Sequence, residues 1–393
     1  MISAVPAVGL EGAACAPPLR VLIVAPSTGI LGGQAVQAAR LLARLRAEPQ
    51  LEVSFLPINP QLPGILRRLQ AIKYLRTILT SLVYCATLLW RVRQHDCIHI
   101  FSASYFSFLL APTPAILASK LYGKKSVLNY RSGEAADHFT RWRRTAIPTV
   151  RLVDVVAVPS GYLVDVFKRF GISARSIFNF VETERFRFRE RRPLRPVFLS
   201  NRNLEPLYNV ECILRAFALI QRRFPEASLT VAGDGSQRRE LERLARELGL
   251  RRTSFVGRVE PEKMPELYDA ADIYLNSPNI DNMPGSIIEA FASGLPVVTT
   301  AAGGIPYILS DGETGMMVGR NDHEAMADRA MRLLEDQALA QAIVTKAHEE
   351  CRKYSWDSVR HEWLGLYYSL AGRDQAFLRN EQATCAAAPV SEH

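Results

Sequence analysis

Short runs of β-branched and aliphatic residues alternate along the chain with longer amphipathic stretches, and this alternation limits the fold more than any other feature. A run that is apolar on both faces is a strand covered on both faces, and the helical stretch after it supplies the cover. The pattern predicts parallel sheets with helices on either side. In the first half the strands read 20–25, 51–56, 97–101, 125–130 and 154–159; in the second they read 197–201, 228–232, 254–256, 272–276 and 296–300. Between the halves lies RFRFRERRPLRP (185–196), charged, with two prolines and no apolar period, so a domain boundary is placed near residue 190. The 393 residues give room for two domains of ordinary size.

The expected division is a loose arm over 1–19, a first Rossmann-like domain over 20–190, a second over 191–354, a C-terminal helix over 355–372 and a disordered tail over 373–393. That helix carries Trp356, Val359, Trp363, Leu366 and Tyr367 at helical spacing. It reads as a packing helix, with a bridge across both domains left open. Two doubly wound domains side by side leave a cleft, and open parallel sheets bind ligands at the carboxyl ends of their strands.

The net charge of +9 points to an anionic partner: a nucleotide, an anionic membrane or nucleic acid. No zinc spacing and no RNP-like aromatic run accompanies it, so no nucleic acid is expected. The six cysteines are scattered without a CxxC pair, which fits a reduced cytoplasmic protein. The N-terminus lacks the basic start and sustained apolar run of a signal peptide. Segment 64–94 is apolar, has no acidic residue, and carries Arg67, Arg68, Lys73, Arg76, Arg91 and Arg93. Its uncharged run from 77 to 90 has 14 residues, whereas a bilayer span needs about 20. It reads as one or two basic amphipathic helices on an anionic membrane surface; the alternative is a buried helix pair with a solvated basic rim.

The stretch NIDNMPGSIIEAFASGLPVVTTAAGGIP (279–306) places two carboxylates, Asp281 and Glu289, eight residues apart. Pro284 suits the first turn of a helix and Gly294 its end. Asp281 then precedes a helix N-terminus and Glu289 lies about a turn and a half inside. Free N–H groups near Gly285, Ser286 and Ile287 favour a phosphate there. An ionised Glu289 accepts two hydrogen bonds from a vicinal diol such as ribose, and Asp281 does the same for sugar hydroxyls. Alone this is a weak signal, since a carboxylate on a helix is ordinarily a solvated one.

The stretch sits in a longer order, from VFLSNRNLEPLYNVECILRAFALI through LTVAGDGSQRRELERLARELG and RTSFVGRVEPEKMPELYDAADIYLNSP to AAGGIPYILSDGETGMMVGRND. This order resembles retaining glycosyltransferases of the GT-B fold, family 4 type (glycosyl transferases group 1). In the first half, VLIVAPSTGILGGQAVQAARLL resembles the family's first strand, glycine loop and helix. The resemblance implies two doubly wound Rossmann-like domains facing a central cleft. It matches Asp281 and Glu289 to the ends of a Glu-x7-Glu motif, Glu289 to the ribose carboxylate and Asp281 to the donor-sugar carboxylate. It matches Gly285, Ser286 and Ile287 to the diphosphate loop and Arg202 to the cation on the leaving group. Val259 matches the position that holds the base, and Gly32 and Gly33 the loop facing donor phosphates and acceptor.

Three positions depart from the family's pattern. Asp281 stands where Glu is commoner. Leu207-Tyr208-Asn209 stands where a lysine followed by glycine is usual. Arg131 occupies the place of the usual first-domain histidine, which His138 matches less well. The exchange suggests that Arg131 and Arg202 hold the diphosphate from opposite sides of the cleft; the alternative is a salt-bridged structural Arg131. The implied activity is transfer of a sugar, with retention, from a nucleotide-sugar donor to a glycan or lipid-linked acceptor, in exopolysaccharide or envelope synthesis, by a cytoplasmic enzyme on the inner membrane. No metal and no cofactor is expected. A non-catalytic nucleotide-sugar binder and a sugar-nucleotide epimerase are the rivals.

Overall fold

The computed structural model describes residues 17–27, 33–61, 72–102 and 104–375. Gly32, most of the N-terminal arm, the C-terminal tail from 376 and residues 64–71 of the basic segment lie outside the described residues.

Two six-stranded sheets, each wholly parallel, carry the fold. The first is built from β1 (Leu19–Ala25), β2 (Leu51–Pro57), β3 (Cys97–Phe101), β4 (Lys125–Asn129), β5 (Val155–Val158) and β6 (Arg175–Ser176), in the order β2-β1-β3-β4-β5-β6. The second is built from β7 (Val197–Asn201), β8 (Ser228–Ala232), β9 (Thr253–Gly257), β10 (Ile273–Asn276), β11 (Val297–Thr300) and β12 (Met316–Val318), in the order β12-β11-β10-β7-β8-β9. The sequence pattern anticipates ten of these strands and misses the short edge strands β6 and β12. Two or three residues leave no room for a period. Strand order reverses beside β1 in one sheet and beside β7 in the other, the places where open parallel sheets bind ligands.

Helices α1 (Gly33–Arg46), α2 (Lys73–Val92), α3 (Phe106–Leu110), α4 (Pro112–Leu121), α5 (Ala135–Arg141), α6 (Arg143–Val150) and α7 (Gly161–Arg169) belong to the first sheet. Helices α8 (Val210–Arg223), α9 (Arg238–Glu247), α10 (Met264–Ala270), α11 (Gly285–Ser293), α12 (His323–Glu335) and α13 (Gln337–Cys351) belong to the second. The last helix, α14 (Trp356–Leu370), returns to the first sheet, where Trp363, Leu366 and Tyr367 join a core with Val21, Ile23 and Phe101. Since α13 packs on α11 of the second domain, the chain crosses between domains immediately before α14. Arg360 clamps Glu48 with two hydrogen bonds of 2.7 and 2.8 Å, and buried His99 meets Tyr367 at 2.6 Å.

The charged linker is not loose. Arg189, Arg191 and Arg195 converge on Asp272, whose side chain is 1% exposed. Buried Arg191 also donates to the carbonyls of Tyr268, Ala271 and Ser293. Burial alone would raise the Asp272 carboxyl, but hydrogen bonds from Arg195 and the nearby Arg191 charge hold it below the usual range.

Candidate functional site

The loop leaving β7 carries Arg202, and the loop leaving β10 carries Asp281. Adjacent strands at the switch point bring them together. Arg202 pairs with Asp281 through Nη2 and donates from Nη1 to Ser286 Oγ at 3.1 Å. Its guanidinium lies 4.2 Å over the Tyr208 ring. Burial pushes this guanidinium down, but Asp281 and the surrounding tyrosines lift it above its ordinary value, so it stays charged. Its Nε is buried with no hydrogen-bond partner. Tyr208 therefore covers Arg202 in the place where the family resemblance leads one to expect a lysine. Asn209 takes φ 48°, the left-handed conformation that glycine favours and Asn tolerates.

Glycines set these loops. A Cβ on Gly304 would lie 1.8 Å from the Asn282 carbonyl oxygen, and one on Gly233 2.1 Å from that of Arg202. Side chains at either place would push the Asp281 or Arg202 loop out of position. The AAGG and GDG runs thus shape the site without touching it through side chains, a role that the motif reading did not give them.

Helix α11 begins at Gly285, one residue later than expected: Pro284 sits before it in an extended conformation (ψ 113°). The Ile287 N–H is taken by the Pro284 carbonyl at 3.2 Å. Gly285 and Ser286, not Ile287, are then the backbone donors that open the helix. Glu289 is 8% exposed. Its Oε2 accepts from the Tyr268 hydroxyl at 3.0 Å, and its Oε1 faces Arg40 Nη2 at 3.4 Å. Burial, then the Glu289 charge, push the Tyr268 hydroxyl well above its ordinary value, so it remains a donor. Arg40, Tyr268 and Asn282 escaped the sequence reading, and Tyr208 entered it only as a departure from the family's pattern. Arg40 is one of several polar residues on an amphipathic helix, and Tyr268 is a buried aromatic. Val259 lies half-buried on the loop leaving edge strand β9.

The first domain closes on this cluster. A Cβ on Gly133 would meet Ile280 at 2.9 Å, Ser160 donates to Asn282, and the Asn179 amide donates to the Met283 carbonyl at 3.2 Å. Arg131, at the end of β4, is the exception to the pairing seen elsewhere. Its Nη1 reaches Asn129 at a long 3.4 Å, its guanidinium lies 5.5 Å from the Phe101 ring centre, and its Nη2 is buried without a partner. Burial pushes it down to about 9. The salt-bridged alternative fails: among the described residues no carboxylate pairs with it. His138 lies in the core, against Tyr130 Oη at 2.9 Å, and burial lowers it to about 4. Gly33 opens α1, and a Cβ on it would meet no other described residue within 4 Å. A surface hollow of about 750 Å³ lies elsewhere, between Arg192, Pro193 and α13. Cys97, Cys212 and Cys351 are buried, with thiols pushed up to about 12, 12 and 11, and offer no nucleophile.

Two parallel α/β domains meeting at their strand ends define a GT-B protein. Anabaena HepE, solved in complex with UDP-glucose, has the same fold with a TM-score of 0.72 at 18% identity, over 89% of this chain and 100% of that one. Residues 182–350 match the family described as glycosyl transferases group 1. It is 32% identical over 176 residues to the D-inositol 3-phosphate glycosyltransferase of Corynebacterium urealyticum, covering 42% of this chain and 41% of that enzyme. It is 28% identical over 309 residues to the GDP-mannose-dependent alpha-(1-6)-phosphatidylinositol monomannoside mannosyltransferase of Mycolicibacterium smegmatis, covering 72% and 79%. The chain spans less than half the length of the first curated relatives it matches, 41% and 46% for two of them.

Proposed function

We propose that the protein is a retaining, metal-independent glycosyltransferase that moves a sugar from a nucleotide-sugar donor to a glycan or lipid-linked acceptor. The observation that carries this reading is the buried cluster of Arg202, Asp281 and Ser286 at the switch point, one helical turn from Glu289. A departing nucleoside diphosphate needs fixed positive charge in a site closed to water. Arg202 and the opening N–H groups of α11 supply it from one side. Arg131, a charged group with an unmet donor, supplies it from the other. Glu289 takes the ribose diol and Asp281 the sugar hydroxyls. The acceptor attacks from the face that the leaving group departs from, and the leaving phosphate takes the acceptor proton. The chain contributes positioning and charge rather than a nucleophile.

The acceptor side is read as an anionic membrane surface, which fits a peripheral cytoplasmic enzyme in exopolysaccharide or envelope synthesis. Supporting it is α2. Its window Leu75–Val92 is apolar along its length yet only 17% buried. Tyr84, Leu88 and Val92 pack inward, while Ile78, Leu82, Leu89 and Trp90 form a second apolar stripe in solvent. Arg76 and Arg91 flank it, with no acidic residue between.

A thermal-shift panel of nucleotide sugars on the parent and on Glu289→Ala tests the donor half. One donor that stabilises the parent and not the variant is the expected result, and transfer is then assayed with it. No shift with any donor removes the reading. Binding without transfer to any acceptor would favour the non-catalytic binder, and an altered donor sugar formed without acceptor would favour the epimerase.

A further inference from the structure

Among the described residues, Glu289 is a candidate ligand-binding group of the second domain whose hydrogen-bond partners come from both domains. An ionised carboxylate has about four lone-pair sites, two on each oxygen. Tyr268 of α10 fills one on Oε2 at 3.0 Å. Arg40 of α1, from the first domain, faces Oε1 at 3.4 Å. Each oxygen is left with one free site, which is the arrangement that receives two neighbouring hydroxyls. Arg40 is itself braced: its Nε lies 4.0 Å from Glu182 Oε2, and Glu182 is also held by Arg44 at 3.8 Å and Arg185 at 3.2 Å. Arg40 and Glu289 are nearly buried, with side chains 15% and 11% exposed, so their geometry is fixed rather than sampled. Gln37, one turn before Arg40, lies 3.9 Å from where a Gly285 Cβ would stand, which shows α1 running past the start of α11.

We propose that Arg40 is a positioning residue that presets Glu289 for the ribose diol of the donor, and that this clamp is complete only when the two domains meet. The inference rests on the proposed donor reading of Glu289. It adds that the first domain takes part in nucleoside recognition through a residue that touches no part of the nucleotide. Tyr268 performs the same task from within the second domain. Its single hydroxyl proton is shared between Glu289 and the Ser286 carbonyl, both at 3.0 Å. Arg40 adds what Tyr268 lacks, a charged donor on the other carboxylate oxygen.

The test compares ribose with 2′-deoxyribose. UDP and GDP, and their 2′-deoxy counterparts, are titrated by calorimetry into the full chain, into Arg40→Met and into Tyr268→Phe. Arg40→Met keeps the length of the stem and removes the cation. In the parent, the ribonucleotide binds tighter than the deoxy form. The loss of a charge-assisted hydrogen bond predicts that Arg40→Met weakens ribonucleotide binding about tenfold and leaves the deoxy form nearly unchanged, so the ratio collapses. Tyr268→Phe reduces the ratio by a smaller factor, and it keeps the question answerable if Arg40→Met does not fold. A merely structural Arg40 would lower the melting temperature and weaken both nucleotides equally, leaving the ratio at its parental value; that result overturns the inference. Tighter ribonucleotide binding to Arg40→Met also overturns it, because Arg40 would then be competing with the diol. If the parent binds neither UDP nor GDP, the donor reading fails, and the inference with it.

Discussion

In the second domain, charge is matched before any ligand arrives: Arg202 meets Asp281, Ser286 and Tyr208, Glu289 meets Tyr268, and Asp272 gathers the linker arginines. In the first domain, just past the carboxyl end of β4, buried Arg131 has no carboxylate partner among the described residues, and α2 turns an apolar stripe to solvent. The geometry of the second domain's cluster is therefore set by internal pairing. The first has groups without partners among the described residues. Unmet charge and unmet apolar surface both cost folding free energy, so their persistence points to use.

The largest effect is expected at the preset end of this comparison. Arg202→Ala removes the cation that is fixed nearest the leaving group and leaves Asp281 buried without its partner. Turnover with the donor that the thermal-shift panel selects should fall about a thousandfold, read by steady-state kinetics, with weaker inhibition by the nucleoside diphosphate. A loss below tenfold would break the assignment.

Next comes Asp272, a pairing that serves the fold and not the site. Asp272→Ala leaves three arginines around a buried hole and should cost about 3 kcal/mol in urea unfolding, while ribonucleotide affinity stays. The pH dependence has a definite sign. The folded carboxyl is held below its unfolded value, so its contribution is complete above the unfolded value. It is lost as the pH falls through the depressed one. His99 adds to acid sensitivity in its own window. Burial lowers it to about 3, so below its ordinary value of 6.5 the unfolded chain takes up a proton that the folded chain refuses.

Arg131→Met sharpens the contrast, because it should separate function from stability. Turnover should fall about tenfold to a hundredfold, while stability holds or rises by about 1 kcal/mol, since an unpaired buried cation is removed. A melting temperature several degrees lower, with turnover intact, would return Arg131 to a structural role.

These differences also explain what could be read from the sequence. Strands with enough residues to show a period were legible; strand–loop–helix punctuation placed Asp281 and Glu289 around a helix start, and only the family resemblance singled out Arg202. The swap of a lysine for Tyr208 was visible as a departure, but its meaning was not: stacking over Arg202 depends on a loop closing through Asn209 at positive φ. Arg40 was invisible because its partner Glu289 is 249 residues away and in the other domain. No one-dimensional pattern records a contact made by domain closure. The linker teaches a different point. Its charge and prolines mark a boundary but not its packing: Arg191 is 5% exposed and donates to the carbonyls of Tyr268, Ala271, Ser293 and Gly294 in the second domain.

The smallest effect on the molecule itself should come from the first domain's outer stripe. Leu82 and Trp90 are 62% and 61% exposed, so Leu82→Ser with Trp90→Ser removes little packing. Stability should stay within about 0.5 kcal/mol, and nucleotide binding should be untouched. Binding to phosphatidylglycerol-containing vesicles is another matter. Burying a large apolar side chain in the interface contributes roughly 1.5–3 kcal/mol, so the paired change should reduce sedimentation with vesicles at least tenfold. Arg76→Gln with Arg91→Gln should act differently: it should weaken binding to anionic vesicles chiefly at low salt, where unscreened charge matters most. Equal sedimentation of parent and Ser variant, or none by the parent, would mean that the stripe meets another occupant, and the contrast between the two domains would then rest on Arg131 alone.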